Sequence, residues 1–357
     1  MSYSVGSLIK GSAALLISNI SLKAISFFLL PLYTSYLTTT DYGIIDMILN
    51  FTSLLYVVLT LCLDSAFCAF YFDKKTPLYQ SKIFNTQYFV FVLTGLAATI
   101  GIIFSKQISF VLLGTDIYYQ AVGIALLSTS ANLWLYTFVL NMRMHNQYTK
   151  IAIISLVTSV LQIVANIIMV VVLKLGFYSM IVSALLNNVL QLIVYWFFNT
   201  EKIRVKSFDK KLLKSMMKYA LPLLPYAIVM WAMTYIDRYM IQYFNGTAQV
   251  GIYGIAARIV VLVAIVSGAF ISAFITYAFG NRDTPDIKEK LVKIANIFFV
   301  VLGFIALAVG IFAYDVVHLL TANPEFHSAY TMVAFLLFGN VAYGMTSIVG
   351  VGISFKK

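Results

Sequence analysis

Charge is what this sequence has least of. Only 10% of its 357 residues are charged, against about 25% in an average soluble domain. Cysteine, histidine and proline are scarce too, at 2, 3 and 6 residues. Cys62 and Cys68 lie six residues apart on one apolar run, roughly 240° around a helix and with no histidine nearby, which excludes a disulfide framework and a metal site in favour of packing. His145, His318 and His327 are scattered in or near loops without metal-ligand spacing. No GxxxxGK[ST] loop is present, so ATP hydrolysis within the chain is not expected and no cofactor is implied. No loop is long enough to hold a catalytic domain, and the chain reads as a non-enzyme.

What remains is apolar. Hydrophobic residues make up 61% of the chain, more surface than a water-soluble core can hide, so the sequence describes an integral membrane protein. With about 20 apolar residues needed per crossing, ten candidate helices fall near 10–37, 43–71, 83–104, 118–140, 151–173, 176–198, 219–244, 249–279, 289–313 and 328–353. The fold class is therefore an all-α polytopic membrane protein. The first run follows Lys10 but continues without a small-x-small cleavage site, and is expected to be an uncleaved helix. The organisation expected is an N-terminal six-helix bundle over 1–200, a basic cytoplasmic linker over 201–218 and a C-terminal bundle of about four helices over 219–357.

Basic residues fix the orientation, because Lys and Arg in short loops stay on the cytoplasmic side. With the N-terminus inside, 19 of the 24 basic residues, Arg143 and Lys150 among them, fall in inner segments, and only Lys106 and Lys174 fall outside. The formal charge of +11 is thus mostly topology. Nucleic-acid binding, which needs one basic patch with stacking partners, is not expected. The run from Lys202 to Lys218 also suits anionic lipid headgroups.

Six charges are left inside the membrane: Lys23, Arg238, Arg258, Asp46, Asp64 and Asp237. Each costs on the order of 3 kcal/mol there and needs a partner, a wet cavity or a function. On helix 1, Ser12, Asn19, Ser26 and Tyr33 recur every seven residues and flank Lys23. On helix 2, Asp46, Asn50, Ser53, Thr60 and Asp64 keep the same 3–4 rhythm. Two explanations stand: a hydrogen-bonded seam between helices, or two charged stripes facing one wet interior, which accounts better for Lys23 and Asp64.

Pro222 and Pro225 weaken the start of helix 7, and Pro31 the outer half of helix 1; each is either a packing kink or a bend used in gating. Helix 8 opens VGIYGIAAR, which places Arg258 at a depth similar to Asp237 on the preceding helix, so an ion pair between them is expected. Asp237 and Arg238 are about 100° apart around their helix and are not expected to face each other. Arg238 then points toward the lumen or out to the headgroups. YLTTTDYGI at 36–44 aligns with FNGTAQVGI at 244–252 at an offset of 208, matching Thr39 with Thr247, Gly43 with Gly251 and Ile44 with Ile252. An even number of helices separates the two copies, the pattern of parallel repeats.

The segment LTTTDYG after helix 1, LPxLPY and the DR pair of helix 7, and GIYGIAAR of helix 8 together resemble the Wzx-type polysaccharide flippases of the multidrug/oligosaccharidyl-lipid/polysaccharide (MOP) exporter superfamily, which includes the MATE drug exporters. The resemblance implies two bundles around a central, often cationic cavity, in the bacterial inner (plasma) membrane. The implied cargo is undecaprenyl-diphosphate-linked oligosaccharide, moved from the inner to the outer leaflet. Lys23 and Arg258 sit where cavity-lining basic residues are typical, and Asn19 and Arg238 join them as substrate-contact candidates. Asp237, Asp64 and Asp46 are candidates for charge pairing or for coupling to a proton or sodium ion, with Asp237 equally readable as a fixed counter-ion to Arg258. Membrane lipids, a polysaccharide polymerase and chain-length machinery are the implied partners. Family members usually have about twelve to fourteen helices, so the ten here leave the second bundle incomplete.

The alternatives are a MATE-like exporter of organic cations, which calls for an acid-dominated cavity, and a membrane polymerase or acyltransferase, which calls for a sizeable outer loop or a catalytic His/Asp set. Exchanging Asp237 and Arg258 tests the expected pair: each single reversal abolishes transport in a flipping assay and the double exchange recovers it, whereas no recovery counts against pairing.

Overall fold

The computed structural model describes residues 27, 29–74, 76–201, 203–281 and 286–354. Among these every regular element is helical, and nine segments are long and apolar enough to cross a bilayer. They correspond to the second through tenth expected helices. The first expected helix, with Asn19 and Lys23, lies largely outside the described residues.

In chain order the helices are α1 (Leu30–Tyr36), α2 (Thr39–Thr60), α3 (Leu63–Phe70), α4 (Pro77–Ile100), α5 (Ser105–Leu113), α6 (Tyr119–Met144), α7 (Tyr148–Ile167), α8 (Tyr178–Phe198), α9 (Lys210–Ala220), α10 (Leu224–Asn245), α11 (Thr247–Gly280), α12 (Ile287–Ile311), α13 (Ala313–Leu320) and α14 (Tyr330–Ser354). They form two compact units. Thr40–Val250 belongs to unit 1, and unit 2 combines the described part of 23–39 with the chain from Gly251 onward. Helix α10 therefore groups with unit 1, whereas hydropathy alone assigned it to the C-terminal bundle. Part of the first expected helix groups with unit 2 in return.

Unit 1 is organised on α6, whose spanning window is 72% buried, against 11–44% for the other spans. One of its contacts is backbone-close. A Cβ at Gly95 of α4 would overlap the Trp134 indole of α6, and Ser130 Oγ donates to the Gly95 carbonyl at 2.8 Å. Small residues at such crossings let packing and hydrogen bonding substitute for the hydrophobic drive that lipid cannot supply. At the opposite end from this unit's basic linker, Gly43 of α2 meets the Thr247 backbone just as closely. One apolar cluster gathers Phe67, Phe84, Phe91, Phe138 and Tyr195 with Met216 of α9, and a second joins Ile44 and Ile48 to Val122, Ile181 and Val250.

Two features differ from the sequence expectation. Helix 2, read as continuous over 43–71, is broken: Leu61 and Cys62 adopt left-handed backbone at φ 51° and 53° between α2 and α3. For bulky residues this costs about 1–2 kcal/mol each, and no glycine or proline announces it. The segment read as a linker contains α9, an amphipathic helix whose Lys210, Lys211, Lys214 and Lys218 are exposed while Met216 and Ala220 are buried. Asp209 caps it, accepting from the Lys211 and Leu212 backbone N–H groups. Its carboxyl is held below the usual range, first by the Leu212 N–H and then by Lys82 Nζ at 3.1 Å. The preceding loop is tied to α4 as well, through Arg204 N–H to Asn85 Oδ1 at 2.6 Å and Asp209 N–H to Thr86 Oγ1 at 3.1 Å.

In unit 2, Phe270 of α11 and Phe298 of α12 stack with ring centres 4.0 Å apart. Thr34 Oγ1 of α1 accepts from the Ala322 N–H at 3.0 Å, and Thr39 Oγ1 donates to the Glu325 carboxylate at 3.3 Å. These bonds fasten α1, and Thr39 just beyond it, to the segment that follows α13.

Gly95→Ala is expected to lower stability by about 1–3 kcal/mol, the usual cost of overpacking, as read from thermal aggregation in detergent. Gly303→Ala, with nothing within 4 Å of the added carbon, is expected to be neutral within about 0.5 kcal/mol.

Candidate functional site

Unit 1 concentrates its intramembrane charge between α2 and α10. Arg238 donates through Nε to Asp46 Oδ2 at 2.7 Å and through Nη1 to Asp237 Oδ1 at 3.1 Å. Its side chain is 12% exposed, those of Asp46 and Asp237 25% and 41%. Asn50 Nδ2 donates to Asp46 Oδ2 at 3.3 Å, and one turn further Trp231 Nε1 donates to Ser53 Oγ at 2.8 Å. The polar stripe of α2 is thus engaged by α10 at Arg238 and Trp231. This corrects two expectations. Arg238 does reach Asp237, because a long side chain can fold back across the 100° that separates the two Cβ atoms. It also turns to Asp46 on a neighbouring helix, a pairing that side-chain direction on one helix cannot reveal. The three side chains together carry a net charge of −1.

Lower on α2, Tyr56 is shared by three cavities of unit 1. The first, of about 240 Å³, is lined by Thr52, Ser53, Ser128, Asn132 and Asn188. The second, of about 380 Å³, contains Thr60, Asp64, Ser65, Tyr136 and Met230. The third, of about 320 Å³, contains Asn132, Tyr136, Arg143, Ser155, Gln191 and Tyr195. Tyr136 packs edge-on against Tyr56 with ring centres 5.8 Å apart and points its hydroxyl at Asp64 Oδ2, 3.4 Å away. The break at Leu61–Cys62 begins α3 immediately before Asp64, placing that carboxylate at the second cavity.

Arg258, on α11, belongs to unit 2, where it is half-buried and an electrostatic neighbour of Tyr33 on α1. Since Asp237 belongs to unit 1, their pairing stays a proposal. Pro31 stands in the first turn of α1, and Pro222 and Pro225 at the starts of the 3₁₀ turn and of α10, where the missing N–H costs little. Lys23 and Asn19 lie outside the described residues.

The family model for polysaccharide biosynthesis proteins matches residues 34–324. The chain belongs to that family. A protein of the Lsg locus of Haemophilus influenzae is 23% identical over 341 residues, covering 92% of this chain and 80% of the other. In fold, this polysaccharide biosynthesis protein is similar to a MATE family multidrug resistance transporter of the MOP superfamily solved in an inward-facing conformation (TM-score 0.65, 15% identity, 95% of this chain and 86% of that one). It is also similar to a MATE transporter of Vibrio cholerae (TM-score 0.58, 14% identity, 97% and 82%). The fold is MATE-like and multi-pass.

Sequence reading passed over Tyr56, Tyr136 and Arg143. Arg143 was counted with the inner loop because it ends its helix, yet it lies seven residues from Tyr136 on α6. That spacing of two turns on one face is a signal that was present.

Arg238→Ala is expected to destabilise the protein by about 1–3 kcal/mol, since it removes the guanidinium that joins Asp46 on α2 to α10. Arg238→Lys recovers only part of the loss, because an ammonium lacks the guanidinium fork. A cycle with Asp46→Asn, measured as thermal stability in detergent, is expected to show coupling above about 0.5 kcal/mol; additive losses would mean that the Arg238 contact contributes nothing.

Proposed function

We propose that this family member flips undecaprenyl-diphosphate-linked oligosaccharide from the inner to the outer leaflet for surface polysaccharide assembly. The observation carrying this reading is a polysaccharide biosynthesis family match across 34–324 in a chain whose fold is that of membrane transporters. A diphosphate cannot cross hydrocarbon bare. Lys23, Arg238 and Arg258, with Asn19, would replace part of its hydration by charge-assisted hydrogen bonds while the lipid tail stays in the bilayer. The charge bias supports a cytoplasmic N-terminus.

An inside-negative potential favours outward movement of an anion by about 2.3 kcal/mol per charge per 100 mV, so resetting the empty site is the uphill stage. Uptake of a proton or sodium ion at Asp237, Asp46 or Asp64 would drive it. The half-buried setting of Asp46 beside Arg238 and the cavity beside Asp64 support those roles. Bends at Pro31, Pro222 and Pro225 would accommodate alternating access. A polymerase and chain-length machinery would take up the product.

Deleting the gene is expected to trap lipid-linked oligosaccharide on the cytoplasmic leaflet in a leaflet-resolved analysis, and Lys23→Ala or Arg258→Ala to do the same while the protein still inserts. Unpolymerised sugar already on the outer leaflet of the deletion strain would overturn the reading.

A further inference from the structure

The third cavity around Tyr56 plays no part in that scheme. Arg143 enters it from the last turn of α6, half-buried, with Nε wholly buried and without a hydrogen-bond partner. Among the described residues its side chain makes no hydrogen bond and no ion pair, and no acidic side chain lines the cavity. Asp64, which like Arg143 acts electrostatically on Tyr136, accepts from the Tyr136 hydroxyl and lines the neighbouring cavity.

The wall opposite is already organised. Tyr195 donates to the Ile151 carbonyl at 3.5 Å and lies 3.0 Å from Ser155 Oγ, and Gln191 donates to Thr158 and Asn187. Those groups are committed to one another. Among the described residues the Arg143 guanidinium, the Tyr56 hydroxyl and the Asn132 amide make no hydrogen bond, and all three residues line the same space. A partly desolvated cation with no ion pair is costly, and a guanidinium that shares its cavity with a phenol and a carboxamide able to donate suits an anion. At about 320 Å³ the space exceeds the ~30 Å³ share of one water several times over.

We propose that the Arg143 cavity is a phosphate-binding site within the first bundle, with the guanidinium taking two phosphate oxygens as a fork and Tyr56 and Asn132 donating to the others. On the flippase reading, on which this part rests, its occupant is the diphosphate of the lipid-linked cargo, held on the side that the charge bias assigns to the cytoplasm. The site would receive cargo before the intramembrane charges Arg238 and Arg258 engage it. A soluble phosphate anion presents the same chemistry.

The test is equilibrium binding to the full chain in neutral-lipid nanodiscs, with radiolabelled inorganic pyrophosphate and with polyprenyl diphosphate placed in the bilayer as separate probes. Arg143→Gln is expected to weaken binding at least about tenfold, since even one of the fork's two charge-assisted hydrogen bonds is worth that much. Arg143→Lys should lose less, Tyr56→Phe a few-fold, and Lys150→Gln, an exposed cation on the same side, nothing. Arg143→Lys, which keeps the charge, and Tyr56→Phe, which removes one oxygen, keep the test informative should Arg143→Gln fold poorly. Arg143-dependent binding of the bilayer probe alone identifies a lipid-linked occupant, and of pyrophosphate alone a soluble one; both support the site. If Arg143→Gln binds both probes as the parent does, or the parent shows no saturable binding, the site falls and Arg143 serves only the helix C-terminus. Parental binding and parental flipping by Arg143→Gln would remove the site and leave the flippase reading intact. Arg143-dependent binding in a protein whose deletion leaves the leaflet distribution unchanged would do the reverse.

Discussion

Hydrocarbon offers no hydrogen bonds, and that constraint shapes every polar feature of this protein. A charge or amide that would be solvated on a soluble surface must here find a partner inside the protein or a wet cavity. The Arg238 cluster is the main response to it in unit 1. One guanidinium joins Asp46 on α2 to Asp237 on α10, and Asn50, Ser53 and Trp231 extend the contact along both helices. Apolar packing between membrane helices is nearly indifferent to register, because lipid competes for the same surface. Directional bonds of this kind therefore decide which faces meet.

The same constraint gives meaning to polar groups left over. Tyr56 and Tyr136 stand where three cavities adjoin, with Asp64 in one and Arg143 in another. Asp64 takes the Tyr136 hydroxyl as its partner, and Arg143 lines the adjoining cavity without an ion pair among the described residues. Holding Asp64 there involves two residues in left-handed backbone, a strain that persists only where the surrounding structure imposes it.

Much of this was readable in advance. Nine of ten expected spans appear among the described residues, because hydropathy over twenty residues is a sum that local errors barely disturb. The 3–4 rhythm of Asp46, Asn50 and Ser53 marks the side of α2 that Arg238 and Trp231 engage, since helical periodicity is a local property, whereas Asp64 lies beyond the break on α3. The break at Leu61–Cys62 and the course of α9 were not legible. The first lacks any glycine or proline, and the lysines of the second dilute a hydropathy average even though its apolar face is packed against the core.

What the sequence by itself determined is the solvent: a chain this poor in charge and this rich in long apolar runs must span a membrane, and charges within those runs require partners or a wet cavity. What only the tertiary structure decided is which partners they take. Arg238 is joined to Asp46 across 192 positions of chain, and Arg143, inconspicuous at a helix end, proves to face a cavity. Charge and periodicity act along one helix and are written in neighbouring residues. Pairing acts across helices, and its geometry exists only once they have packed.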